Sequence, residues 1–178
     1  MYNDIERVLL TNEEIENRIA EIASELDRDY AGKMPLVICI LKGSYMFFAK
    51  LSQCMKEKHN VDFMTISSYG SGTESSGKVK MMKDAEKNIE GRDVIIVEDI
   101  IDSGNTMSFL TKMFKERNPK SVKLVTLLDK PSRREVEIVP DYCGFEVPDY
   151  FVVGYGLDYN EVYRNMPDIG ILKEEVYR

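Results

Sequence analysis

Hydrophobic positions along this chain follow two different periods. Behind Thr11 and Glu14, which have capping-box spacing, Ile15, Ile19, Ile22 and Leu26 recur at steps of four, three and four. That period predicts an amphipathic first helix. "LVICIL" (36–41) is instead a continuous apolar run, the pattern of a strand buried on both faces, and after "KGS" a helical stretch runs from about Tyr45 to Lys58. "VDFMTISSY" (61–69) predicts a second strand and "KVKMMK" a strand returning from the segment between them. That segment, "GSGTESSG" (70–77), has no apolar anchor and is expected to move, as a lid or as a loose connection. Next come the strand "DVIIVE" (93–98), a helix from about Thr106 to Arg117 closed by "NP", and the strand "SVKLVTLL" (121–128). Two further apolar runs, "YFVVGY" (150–155) and "IGIL" (169–172), close the series.

Strands alternating with helices imply right-handed crossovers and a parallel sheet, an α/β fold with a Rossmann-like core flanked by helices. With 178 residues and no composition break, the expectation is a single domain over 1–178. The chain is 43% hydrophobic and 31% charged, the balance of a globular protein. Its formal net charge of -7 argues against nucleic acid as a partner, since affinity for a phosphate backbone usually shows as a basic surplus. No apolar run reaches the length of a membrane span, and "MYNDIERVLL" carries acids where a signal peptide carries basic residues. The expected location is cytoplasmic. Cys39, Cys54 and Cys143 show no CxxC spacing and are expected to be buried small hydrophobes. The one histidine, His59, is expected in an exposed loop, so a histidine base is not anticipated.

The chemistry concentrates in "VIIVEDIIDSGNTM" (94–107). Like charges packed as closely as Glu98, Asp99 and Asp102 repel, so something positive or rich in hydroxyls is expected beside them. In an open parallel sheet, ligands bind beyond the carboxyl ends of the strands, which is where Glu98 and Asp99 fall. The turn that follows supplies backbone N–H groups, a helix N-terminus and the hydroxyls of Ser103 and Thr106. Gly104 allows close approach, and the whole suits a phosphate dianion. Carboxylates for hydroxyls and a turn for phosphate together describe a ligand such as ribose 5-phosphate. There is no GxxxxGK[ST], and "GSGTES" lacks the third glycine of a dinucleotide fingerprint.

This stretch resembles the phosphoribosyl pyrophosphate signature of type I phosphoribosyltransferases. "LVICILKGSYMFFAKL", "SSYGSGT", "LLDKPSRR" and "PDYFVVGYGLDYNEVYRNMPDIGIL" resemble, in order, the hypoxanthine-guanine branch of that family, and the blocks span residues 36–172. The resemblance implies the type I fold, with a small hood from the terminal segments, and a purine salvage enzyme joining a 6-oxopurine to ribose 5-phosphate with release of pyrophosphate. It implies that Glu98 and Asp99 hold the ribose hydroxyls, directly or through Mg2+, and that Asp102, Ser103, Gly104, Asn105 and Thr106 cradle the 5-phosphate. Asp102 would also accept the proton from purine N7 as general base.

By the same resemblance Lys42 and Gly43 form the pyrophosphate loop, where the family often has a cis peptide, and Arg164 faces pyrophosphate. Ser68 and Tyr69 open a closing lid. Lys130 would read the 6-oxo group, because an ammonium only donates and so mismatches the amino group of adenine. Phe151 would stack on the purine, the backbone at Val152 would contact its edge, and Asp158 would serve both the base and Mg2+. The chain departs from relatives at Asn105, where some have lysine, and at Ser44, where others have glycine. Two alternatives stay open: a relative preferring xanthine, and a nucleotide-sensing, RNA-binding regulator of the same fold. The resemblance also implies a homo-oligomer, a dimer or tetramer.

Overall fold

The computed structural model describes residues 1–68 and 79–178. Five parallel strands and one antiparallel edge strand form the main sheet, in the order β4-β3-β2-β5-β6-β7. Its parallel members are β2 (Leu36–Leu41), β3 (Asn60–Ser68), β5 (Asp93–Ile101), β6 (Ser121–Asp129) and β7 (Tyr142–Glu146). The edge strand β4 (Val79–Lys83) is the return strand that "KVKMMK" predicts.

Helices cover both faces, which is why the central strands read as unbroken apolar runs. Val37, Cys39, Ile95 and Val97 pack in a core with α1 (Asn12–Asp29) and α2 (Tyr45–Cys54). Their neighbours Leu36, Ile38, Val94 and Ile96 turn the other way, to α3 (Asn105–Lys115). Strand alternation thus sends every second residue to each layer. In α1 the four periodic residues Ile15, Ile19, Ile22 and Leu26 are fully buried, and the predicted capping box is formed in both directions.

Several boundaries differ from the sequence expectation. Helix α2 stops at Cys54, short of Lys58, because the Asp27 carboxylate accepts the backbone N–H groups of Lys56 and Glu57 at 3.0 and 2.9 Å. His59 is half-buried and not a free loop residue: Nε2 pairs with Ser52 Oγ at 2.8 Å and Nδ1 with the Glu57 carbonyl at 2.9 Å. Strand β5 runs on to Ile101, so Asp99 as well as Glu98 belongs to the strand itself. Of "YFVVGY", only Val152–Val153 is strand.

A second, three-stranded antiparallel sheet forms the hood, in the order β1-β9-β8. It joins β1 (Ile5–Leu10) and β9 (Ile169–Leu172), from opposite ends of the chain, to β8 (Val152–Val153), and the short α4 (Glu174–Tyr177) follows. No helix among the described residues is long and apolar enough to cross a membrane. Thr11→Ala removes a cap remote from the crevice. It should lower the melting temperature by roughly 3 °C with turnover unchanged. Scanning calorimetry beside an activity assay checks both, and altered turnover would place Thr11 in a functional role.

Candidate active site

The crevice opens where the strands end unequally. Pairing of β5 with β2 stops at Val97 opposite Cys39, while pairing with β6 continues to Ile101 opposite Asp129. Glu98 and Asp99 therefore project beside a gap, and the chain leaving β2 folds into it. The peptide between Leu41 and Lys42 is cis. A Cβ at Gly43 would overlap the Asp99 carboxylate, and one at Gly156, whose φ is +101°, would overlap the Gly43 carbonyl. Two glycines thus bring three backbone segments within touching distance.

The carboxylate pair is poorly compensated. Glu98 is 8% exposed and accepts the Asp99 N–H at 3.0 Å, and Asp99 accepts the Ile100 N–H at 2.7 Å. Burial first, then the neighbouring Asp99 charge, raises the Glu98 pKa well above the usual carboxylate range; burial also raises that of Asp99. Hydrogen bonding from Glu98 and from the Ile100 N–H opposes the shift at Asp99, and the Arg164 charge adds to that opposition. Among the described residues no group of three or more His, Cys, Asp or Glu is gathered for a metal. Two carboxylates still fit Mg2+, which is commonly held by one or two carboxylates plus substrate oxygens and water.

Beyond β5 the chain turns through Asp102 and Ser103 into α3. Gly104 caps that helix at φ +84°, a conformation glycine adopts without strain. The Asn105 N–H lies 3.4 Å from Ser103 Oγ, and its side-chain amide donates to Glu135 at 2.6 Å. Asn105 therefore offers its backbone to the turn, and its side chain is engaged elsewhere. Arg134 braces the turn from behind by donating to the Asp102 carbonyl at 2.7 Å while pairing with the buried Asp129 carboxylate. Sequence reading passed over Arg134; the only signal was its place at the end of "LLDKPSRR".

A cleft of about 650 Å³ lies under the hood, and Asp102, Lys130, Phe151, Val152 and Asp158 all line it. The sequence thus located five residues, far apart along the chain, that share one cavity. Lys130 is buried, donates to the Tyr150 carbonyl at 2.6 Å and stands 3.7 Å from Asp149; desolvation lowers its pKa. The Phe151 ring is stacked on Tyr177 of α4, with centroids 4.7 Å apart, and meets Tyr159 edge to face. Tyr177 also lines the cleft, a role with no counterpart in the sequence reading. Asp102 Oδ1 forms an ion pair with Arg133 Nε at 2.8 Å.

Arg164 fastens the remaining side. It donates to the Gly156 carbonyl at 2.8 Å and pairs with Asp158 at 2.9 Å and Glu161 at 3.3 Å. Lys42 reaches the same Glu161 at 2.8 Å. Among the described residues, two buried side-chain polar atoms make no well-formed hydrogen bond: Arg164 Nε, and Asp102 Oδ1, which is held by its ion pair with Arg133. One is an acceptor and the other a donor, and both belong to residues that the sequence assigns to ligand. Ser68 ends β3, and Tyr69 with the glycine-rich lid lies outside the described residues.

A parallel sheet crossed by a carboxylate pair, a phosphate-sized turn and a hooded cleft agrees with the family match: a phosphoribosyl transferase domain model covers residues 8–160, and the chain belongs to that family. Its relatives narrow the branch. A hypoxanthine-guanine phosphoribosyltransferase of Bacillus subtilis is 53% identical over 177 residues, covering 99% of this chain and 98% of the relative. The bifunctional protein TilS/HprT of Listeria monocytogenes is 55% identical over 177 residues, 99% of this chain, which there spans 27% of the relative's length. A crystal structure of a hypoxanthine phosphoribosyltransferase from Staphylococcus aureus matches with a TM-score of 0.95 at 48% identity, covering 100% of this chain and 97% of that one. A Trypanosoma cruzi hypoxanthine phosphoribosyl transferase, solved in connection with the role of its C-terminal region in oligomeric state and activity, matches at 0.93 and 42%, covering 99% and 96%.

The carboxylate pair generates a stability prediction with a definite sign. A folded-state pKa raised above the unfolded value means that the ligand-free protein loses stability as pH rises from the ordinary carboxylate range through the raised value. Glu98→Gln removes that loss. Without Mg2+, at pH 8, the variant should melt about 3 °C above the wild type, and the gap should close toward pH 4.5. No gap at pH 8, or one that widens in acid, contradicts the assignment.

Proposed function

We propose that this chain transfers the 5-phosphoribosyl group of phosphoribosyl pyrophosphate to N9 of hypoxanthine or guanine, giving IMP or GMP and pyrophosphate. The observation that carries the reading is the placement of two buried polar atoms. Asp102 Oδ1 is a buried acceptor on the cleft wall, suited to a proton on purine N7, and Arg164 Nε is a buried donor suited to a pyrophosphate oxygen. Arg164 Nε has no partner in the free protein, and Asp102 Oδ1 is held there by an exposed ion pair with Arg133 at 2.8 Å, which a ligand can replace.

In the forward reaction the N9–C1′ bond forms as the bond from C1′ to the pyrophosphate oxygen breaks. The proton on N7 passes to Asp102, so the purine leaves as a neutral nucleotide base. A carboxylate is a weak base, but N7 acidifies as the purine bonds to the sugar, so placement matters more than basicity. Glu98 and Asp99 hold the ribose hydroxyls, the 102–106 turn holds the 5-phosphate, and Lys42, Gly43 and Arg164 face pyrophosphate. Glu98, Asp99 and Asp158 would hold Mg2+ together with the substrate, and the ion would supply positive charge against the leaving pyrophosphate. Lys130 donates to the 6-oxo group and Phe151 packs on the base, with the Val152 backbone at its edge. Closure by Ser68 and Tyr69 excludes water from the ribosyl centre. The protein acts in the cytoplasm as a homo-oligomer on small substrates, and its net charge of -7 argues against nucleic acid as a partner.

Separate assays with Mg2+, phosphoribosyl pyrophosphate and hypoxanthine, guanine, xanthine, adenine or uracil test the reading. Nucleotide should form with hypoxanthine or guanine and not with adenine. Xanthine as the best substrate selects the xanthine enzyme, and no turnover despite tight phosphoribosyl binding selects the regulator. Asp102→Asn should lower kcat by about 100-fold or more while phosphoribosyl pyrophosphate binding stays within a few fold. Lys130→Met, which preserves bulk, should lower kcat/KM for hypoxanthine at least about tenfold and leave the affinity for pyrophosphate unchanged. Wild-type rates in either variant remove the corresponding role.

A further inference from the structure

Glu161 does not belong to the site as read from sequence, yet it touches both cations assigned to pyrophosphate. Its Oε2 lies 2.8 Å from Lys42 Nζ, and its Oε1 lies 3.3 Å from Arg164 Nη2. One carboxylate thus bridges two groups that come from the loop after β2 and from the segment before β9. Its backbone is held for the purpose: φ is +63° at Glu161 and +50° at Asn160, and the Glu161 N–H donates to Asp158 Oδ2 at 2.8 Å. Non-glycine residues in that conformation are uncommon and persist where the surroundings fix them.

Resting on the pyrophosphate reading of Lys42 and Arg164, we infer that Glu161 is an internal competitor for that subsite: its carboxylate bridges the two cations in the free protein, yields to pyrophosphate, and returns as pyrophosphate leaves. Carboxylate and phosphate oxygens present the same acceptor chemistry to lysine and arginine. Glu161 and Lys42 side chains are 65% and 63% exposed, and exposed ion pairs are weak, so a ligand with several negative charges displaces the bridge readily. The bridge also gives Lys42 a partner in the free protein, whereas Arg164 has Asp158 at 2.9 Å besides. Glu161 is a positioning residue, because it acts through Lys42 and Arg164 and not on the reacting atoms.

The test uses inorganic pyrophosphate with Mg2+ as the probe, by calorimetry and by inhibition against phosphoribosyl pyrophosphate. Glu161→Gln keeps the shape and removes the competing charge. It should tighten pyrophosphate binding about two- to fivefold, lower the KM for phosphoribosyl pyrophosphate by a similar factor, and leave the KM for hypoxanthine unchanged. A purely structural role would not tighten binding. Unchanged or weaker pyrophosphate affinity overturns the proposal. Lys42→Met and Arg164→Met separate this failure from that of the underlying reading. If both weaken pyrophosphate while Glu161→Gln does not tighten it, the competitor alone is wrong. If neither weakens it, the subsite assignment falls, and the competitor with it.

Discussion

Two carboxylates adjoin in the second half of a central strand, where burial raises the cost of ionising both and the Asp99 charge adds to it at Glu98. Glu98 is almost wholly enclosed, and among the described residues no cation favours its charged form. Apolar residues in their place would make a more stable ligand-free fold. The arrangement makes sense when a ligand brings hydroxyl donors or a divalent ion to the pair, so that an unfavourable local feature becomes binding energy. The rest of the site is arranged around that pair. Gly43 is needed because Asp99 stands against it, and Gly156 is needed because Gly43 does.

The same economy governs the phosphate turn and the cleft. Arg134 and Asp129 are a buried pair whose value lies in fixing the Asp102 carbonyl, and with it the start of α3. Holding that backbone from behind leaves the amide groups and hydroxyls on its front for an anion. Lys130, partly desolvated, is held on the Tyr150 carbonyl and aimed along the same wall as Asp102. Groups that would each cost stability alone are kept by neighbours that are satisfied. That division fits a site preorganised for charge and a surrounding frame that supplies stability.

Much of this was legible in the sequence because it is local. Apolar periodicity identified α1 and the doubly covered strands, and the order of polar groups after Val97 identified the carboxylates and the turn. The resemblance then gathered Lys130, Phe151, Val152 and Asp158, which line one cleft with Asp102. What escaped was set by contacts between distant segments. Strand β1 had no clear alternation and exists by pairing with β9, across the length of the chain. Helix α2 ends early because Asp27, on a different helix, captures the next amides. Glu161, Arg134 and Tyr177 are ordinary residue types whose meaning comes from the partners the fold gives them.

The most direct test of the central claim is a crystal structure of the protein with Mg2+, phosphoribosyl pyrophosphate and an unreactive 6-oxopurine analogue that keeps a proton on N7. The account predicts ribose hydroxyls or metal at Glu98 and Asp99 and the 5-phosphate on the 102–106 turn. It also predicts Asp102 Oδ1 within hydrogen-bond distance of N7 and Arg164 Nε on a pyrophosphate oxygen. A ligand bound with neither of those atoms contacting it, or with the carboxylate pair contacting neither hydroxyl nor metal, would contradict it.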